Sequence, residues 1–206
     1  MTGYPDAIDD RRYTVEQYLA METESPTKHD YVDGRILDMA GGTVNHSTIA
    51  VNLVGEFRQA LKGSGCRVYG SDQRLQDYRK TLYTYPDAQI VCGEPEHAAH
   101  DKSRTTITNP KVLFEVTSVS TEAYDRGDKL KRYVALPTLR DFILVSQTSP
   151  RIETYHCRDD GTWLFSWIEG LNQTLHVASV DVSVPLTEIY RDVTFPPPEP
   201  DESVAD

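Results

Sequence analysis

"VLFEV", residues 112–116, lies inside the longer stretch "KVLFEVTSVSTEAYDRGDKLKRY", 111–133, and its reading decides the fold. Val112, Leu113, Phe114 and Val116 are apolar and mostly β-branched or aromatic, the composition of a buried strand. Glu115 interrupts them. A carboxylate inside a hydrophobic strand is costly unless something compensates it. Beyond a polar connection, Leu130, Tyr133, Val134 and Leu136 are spaced for one face of a helix over Tyr124–Leu136. The centre of the chain is thus a strand with an embedded acid, running into a basic helix.

The flanking segments supply the rest of an α+β domain. "TVEQYLAMET", 14–23, reads as a helix with Thr14 as N-cap. "YVDGRILDMA", 31–40, reads as a hairpin turning at Asp33-Gly34. In 41–63 the residues Val44, Ile49, Val51, Leu53, Val54, Phe57 and Leu61 predict an amphipathic helix ended by Gly63. Residues 66–78 and 82–93 read as strands, and 94–110 as a polar loop. After the Glu115 strand and its helix come strands at 141–147 and 151–157, joined through 148–150. A further strand follows at 161–170 and a helical turn at 186–192. Helices at both ends of a run of strands predict one central mixed sheet flanked by helices, a single domain over 13–194. Residues 1–12 are expected to be flexible. The tail 195–206, "FPPPEPDESVAD", is expected to be disordered.

Bulk properties narrow the function. The net charge of -11 argues against a general nucleic-acid coat, which works by neutralising phosphates. It is compatible with a local basic groove and with an acidic site awaiting a divalent cation. Cys66, Cys92 and Cys157 form no CxxC pair, which predicts unpaired thiols in a reducing compartment. No apolar run has the length of a signal peptide or a membrane span. The expectation is a cytoplasmic protein with no membrane partner.

The candidate chemistry rests on carboxylates. His97 and His100, with Glu94 and Glu96, fall in the polar loop, where their spacing is a weak metal signal and a solvated loop is the simpler reading. Asp87 follows Tyr85-Pro86 and precedes the apolar Ala88, Ile90 and Val91, which places it at or just inside a strand. Asp87 and Glu115 on neighbouring strands are suited to share one divalent cation. Without a cation at least one of them tends to hold a proton. Lys129 shares a helical face with Tyr133, whereas Lys131 points about 200° away from Lys129 and is expected to be solvated.

Four stretches in order, "KHDYVDGRILDMAGGTVNH" (28–46), "YPDAQIVCG" (85–93), "FEVTSVSTEAYDRGDKLKRY" (114–133) and "FILVSQ" (142–147), carry a resemblance. The chain resembles the Uma family of restriction endonucleases, within the PD-(D/E)XK nuclease superfamily. The resemblance implies a restriction-endonuclease-like fold, Mg²⁺ or Mn²⁺ as cofactor, and hydrolysis of DNA phosphodiester bonds. Asp87 matches the motif Asp and Glu115 the motif Glu, and the Val116 carbonyl becomes a third metal ligand. Thr117 stands where the superfamily motif has Lys, and Lys129 on the following helix matches the place of that Lys in this family. Asp30 stands for a further acid of the amino-terminal segment and is one methylene shorter than the usual Glu. Gln73, on a strand before that of Asp87, and Thr117 are placed along the cleft. Cutting both strands of a symmetric site favours a homodimer. Two other readings stand beside this one: a catalytically silent binding or assembly module on the same fold, and a metal-dependent hydrolase of a small substrate.

Overall fold

Hydrophobic patterning is resolved into three layers of core. The structure, a computed structural model, describes residues 7–39, 41–101, 103–118 and 122–197. The expected flexible start and tail therefore lie outside the described residues over 1–6 and 198–206. Helix α1 (Val15–Glu24) opens on Thr14, whose hydroxyl accepts from Gln17 N while the Gln17 side chain accepts from Thr14 N, a complete capping box. Strands β1 (His29–Val32) and β2 (Arg35–Asp38) form the expected hairpin. Its turn residues Asp33 and Gly34 both have positive φ, 49° and 87°, as a two-residue turn matched to the strand twist requires.

Helix α2 (Val44–Ala60) buries Ile49, Leu53 and Phe57, with Leu61 beyond its end. Val44 and Val51, read from the sequence as part of its apolar face, are exposed at 82% and 70%. Position 44 opens the helix, and 51 falls on the side opposite the Ile49–Leu53–Phe57 stripe.

The two strands predicted at 66–78 and 82–93 are each broken and shared between two sheets. β3 (Cys66–Gly70) gives way to β4 (Arg74–Gln76), and β5 (Leu82–Thr84) to β6 (Ala88–Cys92). The second break falls at Tyr85-Pro86-Asp87, where proline has no N–H for a ladder. β7 (Thr106–Ile107) arises within the predicted polar loop and pairs parallel to β4. β8 (Val112–Thr117) is the buried strand of the opening stretch, and β9 (Asp141–Ser146), β10 (Arg151–Cys157) and β11 (Trp163–Glu169) follow it.

The single mixed sheet of the sequence reading is therefore two larger sheets. One is five-stranded in the order β2-β1-β5-β4-β7, and the other six-stranded in the order β11-β10-β9-β8-β6-β3. In the second, β8 and β9 run parallel and the other neighbours antiparallel. A small hairpin of β12 (Thr174–Val177) and β13 (Val182–Pro185) lies outside the sequence reading; Leu175, Val177, Val182 and Val184 alternate inward along it, but each strand is only four residues long. It packs with α2 and the last helical turn, α5 (Leu186–Ile189), on one face of the six-stranded sheet. The other face meets the five-stranded sheet through Leu113, Phe142, Leu144, Val32, Leu75 and Leu82. Beyond it, Tyr18 of α1 packs on Tyr31 and Tyr83.

The predicted helix 124–136 is also subdivided. α3 (Glu122–Tyr124) leads into a π-helical turn (Asp125–Lys129) and then α4 (Leu130–Tyr133). The segment lies between the two sheets and inserts Tyr133 and Leu136 into the shared core, with Leu139 following in the next turn.

The cysteine expectation is corrected. Cys66 and Cys92 are directly opposed in the β3–β6 ladder and form a disulfide, while Cys157 is free. The pairing is a product of register across 26 residues, which spacing alone does not disclose. Among the described residues no helix is long and apolar enough to cross a membrane.

Candidate active site

Alternation along β8 decides which way Glu115 faces. Leu113, Glu115 and Thr117 point into the layer between the sheets, and Phe114 and Val116 point toward α2. The β6–β8 register pairs Ala88 with Phe114, so Asp87, one residue earlier, continues that register opposite Glu115. The Pro86 break thus delivers Asp87 at the strand start, beside the buried acid. Asp30 enters from the other sheet. It lies on β1 opposite Leu37, which packs in the same central layer.

Glu115 is 5% exposed and its Oε1 accepts two bonds, from Tyr133 OH at 2.7 Å and from Lys129 Nζ at 2.8 Å. In this structure it is therefore an ammonium and a phenol that compensate the buried acid. The π turn accounts for the lysine's position. By widening the helix it brings Lys129 and Asp125 inward together, Lys129 Nζ lying 3.6 Å from Asp125 Oδ1. Lys131, two residues further along the helix, is exposed and pairs with Asp128 at 3.3 Å.

The electrostatics follow from burial. Burial pushes the Glu115 carboxyl up to about 8; Lys129 pulls it back, and Asp87 and Asp125 add to the rise. Burial likewise raises Asp30, again opposed by Lys129. Burial works against the charge on Lys129, but Glu115 and the acids around it hold its pKa well above the usual lysine value. Buried groups perturbed in this way and gathered at one place are candidates for a functional site.

Asp87 is held at both oxygens. Val116 N donates to Oδ2 at 2.7 Å, and His46 Nε2, from the first turn of α2, lies 3.2 Å from Oδ1. The hydrogen bond to Asp87 raises the His46 pKa, against the effect of burial. Sequence reasoning gave His46 no role. Its relation to Asp87 is tertiary, and only its position at a helix start was legible.

The remaining candidates separate. Thr117 lines a cleft of about 260 Å³ at the ends of β8 and β9, together with Arg126, Ser146, Arg151 and Glu153. Gln73 is not among its lining residues. The Gln73 side chain instead donates to the Thr105 carbonyl, and its own carbonyl accepts from Gln89 Nε2 at 2.7 Å. His97 forms a bridge to Ile107 within its loop.

Whether these residues suit a divalent cation is decided by the donors. Among the described residues no three His, Cys, Asp or Glu side chains are grouped as a ready metal cage. Asp30 Oδ1, however, is buried with no hydrogen-bond partner. Asp87 and Glu115 offer two further carboxylates, and the set is all oxygen. Two carboxylates, a carbonyl and several waters match what Mg²⁺ accepts. The residues fit.

Comparison with known proteins bears on the family and the fold. An uncharacterized protein of Synechocystis sp. (strain ATCC 27184 / PCC 6803 / Kazusa) is 40% identical over 184 residues, covering 89% of this chain and 94% of the relative. A second uncharacterized protein of that organism is 28% identical over 169 residues, covering 82% and 94%. The fold is similar to that of a crystal structure described as "a putative nuclease belonging to DUF820" from Anabaena variabilis ATCC 29413. The TM-score is 0.69 at 13% identity, over 86% of this chain and 97% of that one. The profile of the Uma2 family, described as "Putative restriction endonuclease", matches residues 15–187, a span that holds Asp30, His46, Asp87, Glu115 and Lys129 alike, and the chain belongs to that family.

Proposed function

We propose that this protein is a metal-dependent endonuclease that hydrolyses DNA phosphodiester bonds. The observation that carries the reading is the Lys129–Glu115 pair at 2.8 Å, buried opposite Asp87. Asp87, Glu115 and the Val116 carbonyl are the groups that would hold Mg²⁺ or Mn²⁺, with Asp30 assisting. The cation, when bound, supplies neutralisation of phosphate charge and Lewis acidity. The chain's own residues do the rest. The Lys129 ammonium orients the attacking water and faces the charge that develops on the phosphorane. Tyr133 fixes the Glu115 carboxylate by its hydroxyl. Cutting two strands belongs to a pair of copies, so the same reading includes a homodimer.

A silent binding or assembly module is the second reading, favoured by the fact that Glu115 Oε1 is already bonded by Lys129 and Tyr133. Cleavage of supercoiled plasmid in the presence of Mg²⁺ separates the two. The nuclease reading expects nicking or linearisation by the wild type and none by Glu115→Ala. Cleavage that persists in Glu115→Ala removes the proposed site, and none by the wild type with either Mg²⁺ or Mn²⁺ favours the module.

A further inference from the structure

His46 is the group at this site that the hydrolytic reading leaves without a task. Its place is built by hydrogen bonds at the helix start and by a glycine behind the ring. The helix start is tied to the end of β9: the Thr43 hydroxyl donates to the Gln147 side chain, and the Asn45 amide donates to the carbonyls of Gln147 at 3.3 Å and Thr194 at 2.8 Å. Thr43 Oγ1 in turn accepts from His46 N at 3.1 Å, which fixes the first turn. Gly42 backs the ring. A Cβ there would lie 2.6 Å from His46 Nδ1 and 3.0 Å from Cγ, whereas at the neighbouring Gly41 it would meet nothing within 4 Å. The imidazole thus occupies space that only a glycine leaves open, with Nε2 aimed at Asp87 Oδ1 at 3.2 Å.

We propose that His46 is a positioning residue of the cation site, fixing the Asp87 carboxylate in the orientation that a divalent ion requires. This rests on the metal-dependent reading above. A carboxylate held by one hydrogen bond can turn about its χ angles. Asp87 is held at Oδ2 by the backbone of β8 and at Oδ1 by a side chain of α2, so two elements define one orientation. Partners of this kind, which hold a ligand without touching the ion, commonly carry a 10–100-fold effect on metal affinity. His46 is partly exposed at the helix start, so its removal takes little from the core.

The test is titration of the full-length chain with Mn²⁺ alone, followed by calorimetry, at a pH above that at which Glu115 ionises. His46→Ala should weaken Mn²⁺ binding about tenfold or more. His46→Gln puts an amide N–H at the reach of Nε2 and should restore most of the affinity; His46→Asn reaches only as far as Nδ1 and should not. Gly42→Ala, which displaces the ring and not the backbone, should reproduce the loss, and Gly41→Ala should leave affinity as in the wild type. Unchanged Mn²⁺ affinity in His46→Ala, or a Gln variant no better than the Ala variant, overturns the role of His46 alone. A wild type that binds no Mn²⁺ overturns the cation reading and this role with it, and the two failures are told apart by the wild-type titration.

Discussion

At the scale of the residue, the question is what a carboxylate in a hydrophobic strand does to the molecule around it. Burial holds the Glu115 pKa at about 8 in the folded chain against 4.5 for the ordinary side chain. The folded state therefore binds more protons than the unfolded state between those values, so metal-free stability falls as pH rises through that window. Asp30, raised in the same direction, adds to the fall. Urea midpoints measured from about pH 5 to about pH 8 should decrease, and in Glu115→Gln the decrease should be shallower. Divalent cation should bind more tightly over the same rise in pH, because the ligands must lose their protons. Lys129→Met should slow cleavage about a hundredfold, while Lys131→Ala, altering an exposed ion pair, should leave the rate nearly unchanged. Equal loss from both would reduce the pair to a general basic surface. The sequence made Glu115 legible because a charge inside an apolar run is a local anomaly; Asp87 was legible from its place after Tyr85-Pro86, and Lys129 from the helical face it shares with Tyr133 and from the family resemblance. His46 carried no such anomaly, since a histidine at a helix start is ordinary until the fold brings Asp87 to it.

At the scale of the element, local chemistry was legible where it was self-contained. Thr14 with Gln17, and Asp33-Gly34, specify a cap and a turn within a few residues. Breaks imposed by the partner layer were not. Residues 66–78 read as one strand, although the chain turns at Gly70-Ser71-Asp72, where Gln73 N donates to the Gly70 carbonyl at 3.1 Å and the segment passes from one sheet to the other. The π turn was equally hidden: its five residues, "DRGDK", differ from an ordinary helical turn only in where the core pulls Lys129. Two glycines test the local account. Gly55 lies exposed in the interior of α2, and a Cβ there meets nothing within 4 Å. Gly55→Ala should stabilise the chain by about 0.5–1 kcal/mol, seen as a higher melting temperature. Gly34 has φ of 87°, and its Cβ would approach the Arg12 side chain at 3.4 Å. Gly34→Ala should destabilise by about 1 kcal/mol or more.

At the scale of the whole molecule, the α+β class followed from the order of helices and strands, but the division into two sheets and the Cys66–Cys92 bond did not. Both depend on register between distant segments. Thiol titration of the denatured, unreduced chain should find one reactive cysteine, Cys157, and three would contradict the disulfide. Opening this bond, which spans 26 residues, should lower stability by about 3 kcal/mol on the chain-entropy account. The layered arrangement has a consequence for how the molecule is made. Asp30 comes from one sheet, Asp87 and Glu115 from the other, and Lys129 from the turn wedged between them. The centre thus draws on segments from residue 30 to residue 129 and on both sheets at once, so its assembly belongs to the tertiary structure and not to any one element. On the nuclease reading, hydrolytic power appears all at once with the finished tertiary structure.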